Sequence, residues 1–151
     1  MDRDEGMKKI EKIKRAPRKP ANCWDIMNPE IVGYVEGERL TCVYPVLEMY
    51  TNPRKSMQGG FISAAFDNTA GALLFAETGS QAMASIDLNV NYQRPIFEND
   101  RLRCTAYLKS MGKTLAHIYA EAFDGQDRLI ATATTNIMLL NDENFARKQQ
   151  D

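Results

Sequence analysis

Met57-Gln58-Gly59-Gly60-Phe61-Ile62-Ser63-Ala64-Ala65-Phe66-Asp67-Asn68-Thr69-Ala70-Gly71 is the stretch that decides the fold. A glycine pair opens it and a strongly apolar run follows. Between residues 61 and 76 the only ionisable side chain is Asp67. Phe61, Ala64, Ala65, Phe66, Ala72, Leu73, Leu74 and Phe75 leave almost no polar face, so the pattern predicts a helix over 61–77, buried nearly all round and ended by Gly79. Ser63, Ala64, Ala65, Ala70, Gly71 and Ala72 are small enough to let a sheet lie close. A carboxylate in such surroundings is costly unless it is paired, hydrogen-bonded or used, which makes Asp67 the first candidate for chemistry.

Downstream of the helix the pattern changes to period two, and four strands are expected. Residues 82–93 alternate, with Ala84, Ile86, Leu88, Val90 and Tyr92 on one face and Ser85, Asp87, Asn89, Asn91 and Gln93 on the other. Residues 101–109 follow with Leu102, Cys104, Ala106 and Leu108 inward. After the turn Met111-Gly112-Lys113, residues 114–123 put Ala116, Ile118, Ala120 and Ala122 on one face, suited to a close helix. Asp124-Gly125-Gln126-Asp127 is a second hairpin turn and 129–140 is the last strand. Upstream, 31–35 reads as a short strand. Residues 39–50 read as a longer one covered on both faces, with Pro45 marking an edge position or a bulge. Hairpin links make the sheet antiparallel, and one apolar helix on one curved sheet of five to six strands gives an α+β layer fold.

The totals suit a single domain: 151 residues, 44% hydrophobic, 26% charged and a formal net charge of −1. That charge gives no bulk attraction to nucleic acid or anionic membrane, and no apolar run approaches the ~20 residues of a membrane span. The charged start carries no signal-peptide core. Cys23, Cys42 and Cys104 are widely separated and lack metal-ligand spacing, so a reducing, cytoplasmic setting is expected. Residues 1–20 hold eight Lys/Arg against four Asp/Glu, with Met7, Ile10 and Ile13 as a thin apolar stripe. They read as a basic arm on the surface, with contact to an anionic ligand as the sharper reading, ahead of a single domain over 21–151. Trp24, the only tryptophan, reads as a cover over the core or as a subunit contact.

His117, the only histidine, has a parity that points it away from the small-residue face. A Ser-His-Asp or Cys-His triad would need it, and no Gly-x-Ser-x-Gly elbow exists. No metal site is expected. The helix start at Gly59 offers unpaired backbone N–H groups and the positive end of the dipole, the parts that hold a developing oxyanion. Asp67 lies eight residues further on, ~12 Å by helix rise. One helix cannot easily bring both to one carbonyl, whereas two copies can, so a dimer is expected. The plainer reading of Asp67 is a carboxylate hydrogen-bonded to neighbours.

The segments Asn52-Pro53, Gln58-Gly59-Gly60, Asp67, Ser85-Ile86-Asp87-Leu88-Asn89-Val90-Asn91-Tyr92, Arg94-Pro95 and Gly112-Lys113-Thr114-Leu115-Ala116 together resemble the hotdog-fold acyl-CoA thioesterases of the phenylacetic-acid-pathway (PaaI-like) branch. The resemblance runs from about residue 40 to 140. It implies hydrolysis of an acyl-CoA thioester to a carboxylic acid and coenzyme A, with no metal or cofactor. In it Asp67 is the general base or nucleophile, Gly59 gives the N–H that polarises the thioester carbonyl, Asn52 helps position thioester or water, and Ser85 orients the water. Tyr92 and the turn Ser110, Met111, Gly112, Lys113 and Thr114 contact coenzyme A, and Arg94 and Lys113 offset its phosphates. Many members have histidine where this chain has Gln58, which can donate an N–H but cannot carry a proton near neutral pH. The implied assembly is a homodimer or a dimer of dimers with active sites at the subunit interface. A hotdog protein that binds acyl-CoA without turnover is the alternative. A dehydratase ranks last, because His117 is misplaced for it.

Overall fold

The computed structural model describes residues 6, 8–11 and 22–141. Six strands form one antiparallel sheet: β1 (Glu30–Val35), β2 (Arg39–Pro45), β3 (Met83–Tyr92), β4 (Arg101–Met111), β5 (Leu115–Phe123) and β6 (Leu129–Leu139). Their spatial order is β1-β2-β4-β5-β6-β3. The central helix, Gly59–Thr78, packs against β2, β3, β4 and β5 and ends on Gly79 in the left-handed region. The expected α+β architecture, a long helix held by a curved antiparallel sheet, is what the chain adopts.

The helix lies close because the sheet beneath it is paved with small side chains. Ala106, Ala116, Ala120, Ala122 and Ala133 are all buried. Tyr44 on β2 then pins the middle of the helix, with its hydroxyl 3.1 Å from the Ala65 carbonyl and 3.0 Å from Thr69 Oγ1. Burial pushes the Tyr44 hydroxyl well above its ordinary pKa, so it stays protonated as a donor. At the far end Glu77 Oε1 accepts from the Tyr34 hydroxyl at 2.9 Å and from the Gly37 N–H at 2.6 Å, tying the last turn to the β1–β2 hairpin.

Several boundaries differ from the sequence reading. The strand expected over 39–50 stops at Pro45, and Glu48–Tyr50 form a 3-10 turn. Proline offers no N–H to the ladder, so it closes β2 at its end, and β2 is an interior strand rather than an edge. The other face of β2 is half-buried rather than fully covered. Ser110 and Met111 belong to β4, which leaves residues 112–114 as the hairpin turn. The alternation expected over 82–93 is broken by a bulge. Ser85 pairs with Ile137 and Asp87 with Asn136, so Ile86 is an extra residue.

A five-residue helix, Cys23–Met27, carries Trp24 against the core. Its last residues are held by Tyr50, whose hydroxyl donates to the Ile26 carbonyl. Of the apolar stripe read in the first 20 residues, Ile10 sits in a helical turn and is buried in the core. Met7, Ile13 and the rest of the basic arm lie outside the described residues.

Candidate functional site

Asp67 projects from the one stripe of the central helix that its own sheet leaves open. The helix was expected to be buried nearly all round. The sheet instead covers the side carrying Ile62, Ala65, Phe66, Thr69, Ala70 and Leu73, while Gly60 and Asp67 are exposed and Ser63, Ala64, Asn68 and Gly71 half-exposed. The carboxylate is therefore not enclosed within one chain. It does have a specific partner: Ser85 Oγ donates to Asp67 Oδ1 at 2.9 Å. Oδ2 has no partner among the described residues, so one oxygen is oriented and the other is open to an incoming proton.

Ser85 meets Asp67 because of the bulge. Strict alternation would put Ser85 on the opposite face from Leu88 and Val90. With Ile86 inserted, Met83 packs on the core side before the bulge and Leu88 and Val90 on the same side after it. Ser85, in phase with Met83, faces the helix, while Ile86 is 55% exposed. Asp87, just past the bulge, turns outward and accepts from the Asn136 N–H at 2.8 Å and from its Nδ2 at 2.9 Å. These bonds, with a contribution from nearby His117, hold the Asp87 carboxyl below the usual carboxylate range despite some desolvation.

A second cluster forms at the helix start. Gln58 occupies the N-cap position, and its carbonyl accepts from the Phe61 and Ile62 N–H groups at 2.9 and 3.2 Å. The N–H groups of Gly59 and Gly60 have no acceptor among the described residues. These are the orphan donors expected of a helix N-terminus. The Gln58 side chain is exposed and makes no cap hydrogen bond among the described residues. Over this turn lies Tyr92, whose hydroxyl donates to the Gly59 carbonyl at 2.8 Å and shares a hydrogen bond with Ser63 Oγ at 2.6 Å. A β-carbon on Gly59 would stand 2.9 Å from Tyr92 Cζ, so any larger residue here would push the ring back. This clamp was not read from the sequence, where Tyr92 figured only as a ligand contact.

The remaining candidates are dispersed. The Asn52 side chain closes its own loop: Oδ1 accepts from the Arg54 and Ser56 N–H groups, and Nδ2 donates to Ser56 Oγ at 2.9 Å. Arg94 is exposed, with its backbone N–H on the Ile130 carbonyl. Gly112, Lys113 and Thr114 lie beside Leu139, at the end of the sheet where β3 begins, whereas Tyr92 lies where β3 ends. The ten residues of β3, ~30 Å from end to end, separate them. One chain thus brings Asp67 to Ser85 and Tyr92 to Gly59, but does not gather Tyr92 and the 112–114 turn, both expected to contact coenzyme A, at one place. Among the described residues no His, Cys, Asp and Glu cluster could hold a metal ion, and no helix is long and apolar enough to cross a membrane.

Residues 55–131 match the model of the thioesterase superfamily. Comparison with curated protein sequences finds no match. Among solved structures, the chain resembles the Escherichia coli PaaI protein from the phenylacetic acid degradation operon at TM-score 0.77 and 16% identity, over 91% of this chain and 95% of that one. It resembles mouse thioesterase superfamily member 2 at TM-score 0.68 and 25% identity, over 74% and 82%. A Streptococcus mutans protein solved with acetyl-CoA bound superposes at TM-score 0.67 and 17% identity, over 76% and 90%. With the helix-and-sheet architecture these likenesses are those of a hotdog fold, and the chain belongs to the thioesterase superfamily.

Proposed function

We propose that this chain hydrolyses an acyl-CoA thioester to a free carboxylic acid and coenzyme A, working as a homodimer or a dimer of dimers with sites at the subunit interface. The observation that carries the reading is the Asp67–Ser85 pair: a carboxylate with one oxygen fixed by a hydroxyl and the other open, on the uncovered stripe of the central helix. The acetyl-CoA in the Streptococcus mutans neighbour supports the ligand class.

In this reading the thioester carbonyl oxygen rests on the N–H of Gly59 of the partner subunit, and Gln58 adds a side-chain N–H there. Asp67 Oδ2 takes a proton from water as the water oxygen bonds to the carbonyl carbon. The tetrahedral oxyanion is held by the N–H donor. It collapses by breaking the C–S bond, and the departing thiolate receives the proton from Asp67. Attack by an Asp67 oxygen instead breaks the C–S bond, expels the thiolate and leaves a mixed anhydride; water opens it to the free acid and the Asp67 carboxylate, and the proton released goes to the thiolate. The two ends of the helix motif are ~12 Å apart along one helix, so each site draws on two chains. β3 is an edge strand whose outer side is unpaired in the described chain, and it offers a second copy a place to add.

Thiol release from short, medium, long and aryl acyl-CoAs tests the activity. Asp67→Ala and Asp67→Asn should lower kcat by roughly 10²–10⁴-fold. Absence of release from every substrate in the wild type would favour the acyl-CoA-binding alternative, and full release by both variants would remove Asp67 from the mechanism.

A further inference from the structure

The Ser85–Asp67 contact depends on a one-residue irregularity, so whatever fixes that irregularity also fixes the contact. At a bulge the ladder loses a bond, and a backbone group on the facing strand needs another partner. Here the group is the Asn136 N–H. Asp87 Oδ1 accepts it at 2.8 Å in place of a β3 carbonyl, and Oδ2 accepts the Asn136 Nδ2–H at 2.9 Å. From the helix side, Thr135 Oγ1, buried in the core, donates to the Asp87 carbonyl at 2.7 Å. Asn136 is itself oriented: its Oδ1 faces His117 Nδ1 at 2.7 Å. Since Nδ2 serves Asp87, Oδ1 must be the acceptor, which places the proton on His117 Nδ1. Asp87, Asn136 and His117 stand in one row across β3, β6 and β5, on the face of the sheet away from the helix.

We propose that Asp87 and Asn136 are positioning residues that act through the bulge. They hold Ile86 out of register so that Ser85 stays turned onto Asp67. The sheet thus lets a polar row on its outer face set the geometry on its inner face without touching substrate. Thr135 supports the row from the helix side, and Asp87, by taking Nδ2, decides which way round the Asn136 amide lies and leaves its Oδ1 to His117. The inference rests on the reading of Asp67 and Ser85 as the acting pair, but its structural half stands apart from that reading.

The test uses full-length Asp87→Ala, Ser85→Ala and the double variant, with Asn136→Ala as a milder second perturbation that keeps the backbone N–H. If Asp87 acts through Ser85, Asp87→Ala lowers kcat by roughly 10–100-fold, the scale of a misplaced group, and leaves KM within about threefold. In the Ser85→Ala background the same change then costs less than about twofold further, since coupled residues are not additive. An equal loss in both backgrounds, or an unchanged kcat, overturns the proposal. A crystal structure of Asp87→Ala decides independently of turnover, and the Asn136→Ala structure serves if that variant does not fold. The expected result is a shifted register with Ser85 Oγ beyond hydrogen-bond reach of Asp67. An intact bulge with the bond still made refutes the inference, even if the thioesterase reading stands. If the wild type releases no thiol, that reading fails, and the crystal structures still judge the bulge.

Discussion

Gly59→Ala is the sharpest perturbation of the helix start. The added methyl carbon would lie 2.9 Å from Tyr92 Cζ, 3.1 Å from its hydroxyl oxygen and 3.2 Å from Cε1. Carbon atoms settle at about 3.5–4.0 Å, so the ring must retreat by roughly 0.6–1 Å. That retreat stretches the bonds from the Tyr92 hydroxyl to the Gly59 carbonyl and to Ser63, now 2.8 and 2.6 Å, to the limit of a hydrogen bond or past it. Overpacking costs about 1–3 kcal/mol. The ring is 52% exposed and can move into open space, so the lower end applies. Replacing glycine in a helix returns up to ~1 kcal/mol. The net stability change is therefore small, about 0–1 kcal/mol, and the effect should appear in catalysis. Losing an oxyanion donor outright costs about 10²–10³ in kcat. Displacing the Gly59 N–H while keeping it should cost roughly 10–100-fold, by the same principle of misplacement. Thiol-release kinetics with a thermal melt measure both. Tyr92→Phe removes the same two hydrogen bonds without the clash and should lower kcat to a similar degree. A Gly59→Ala or Tyr92→Phe enzyme with wild-type kcat would refute the reasoning.

Gln58→Ala should slow turnover while leaving coenzyme A affinity within about threefold, as for a donor that serves the carbonyl alone; equal loss of both, by kinetics and equilibrium binding, assigns Gln58 a structural role. Tyr44→Phe removes the hydroxyl that joins β2 to the Ala65 carbonyl and Thr69. It should cost about 1–2 kcal/mol in a denaturant melt and about 2–4 °C in Tm for each of those kcal/mol. Burial pushes the Cys42 thiol up to about 12 and raises Cys104 well above its ordinary value, whereas Cys23 is exposed. A thiol reagent at neutral pH should therefore titrate Cys23 in the folded chain and reach the other two only in denaturant. The Asp87 carboxyl is depressed in the folded state, so its contribution to stability is complete above the ordinary carboxylate pKa and is lost as pH falls through the lower folded value. Melts between about pH 5 and 2 should show a shallower acid decline for Asp87→Asn than for the wild type; identical slopes would contradict that linkage.

What was legible in the sequence, and what was not, divides along physical lines. Elements whose identity follows from period and punctuation stood out: the apolar run after Gly59-Gly60, the alanine-rich face of 114–123 and the turns that force antiparallel pairing. What depends on a pairing register did not. The phase of 82–93 was set by Leu88, Val90 and Tyr92 and extended back through Ile86 to Ala84, which placed Ser85 on the wrong face. The available signal was Asp87 and Asn136, two residues poorly suited to strand interiors, each in the middle of a strand. Their side chains complete a ladder that the backbone leaves open, and only the facing partner reveals this. Tyr92 over Gly59 is of the same kind, a long-range contact with no trace in local pattern.

The composition of the central helix does predict apolar surroundings on every side, yet the described residues of one chain bury only one side of it. Ala64, Gly71 and Phe75 remain half-exposed beside the exposed Asp67. A stripe this apolar and this small-sided is suited to close contact with another surface rather than to water. The helix sequence therefore asks for more cover than its own sheet supplies, and a second copy is the cover that the proposed two-chain site requires. Size-exclusion chromatography with light scattering should find a dimer or tetramer at micromolar concentration. Gly71→Arg, whose β-carbon would meet nothing within 4 Å in a single chain, should leave the fold intact while shifting that assembly toward monomer and abolishing thiol release. A monomeric wild type that is fully active would separate the function from the interface and end the two-chain argument.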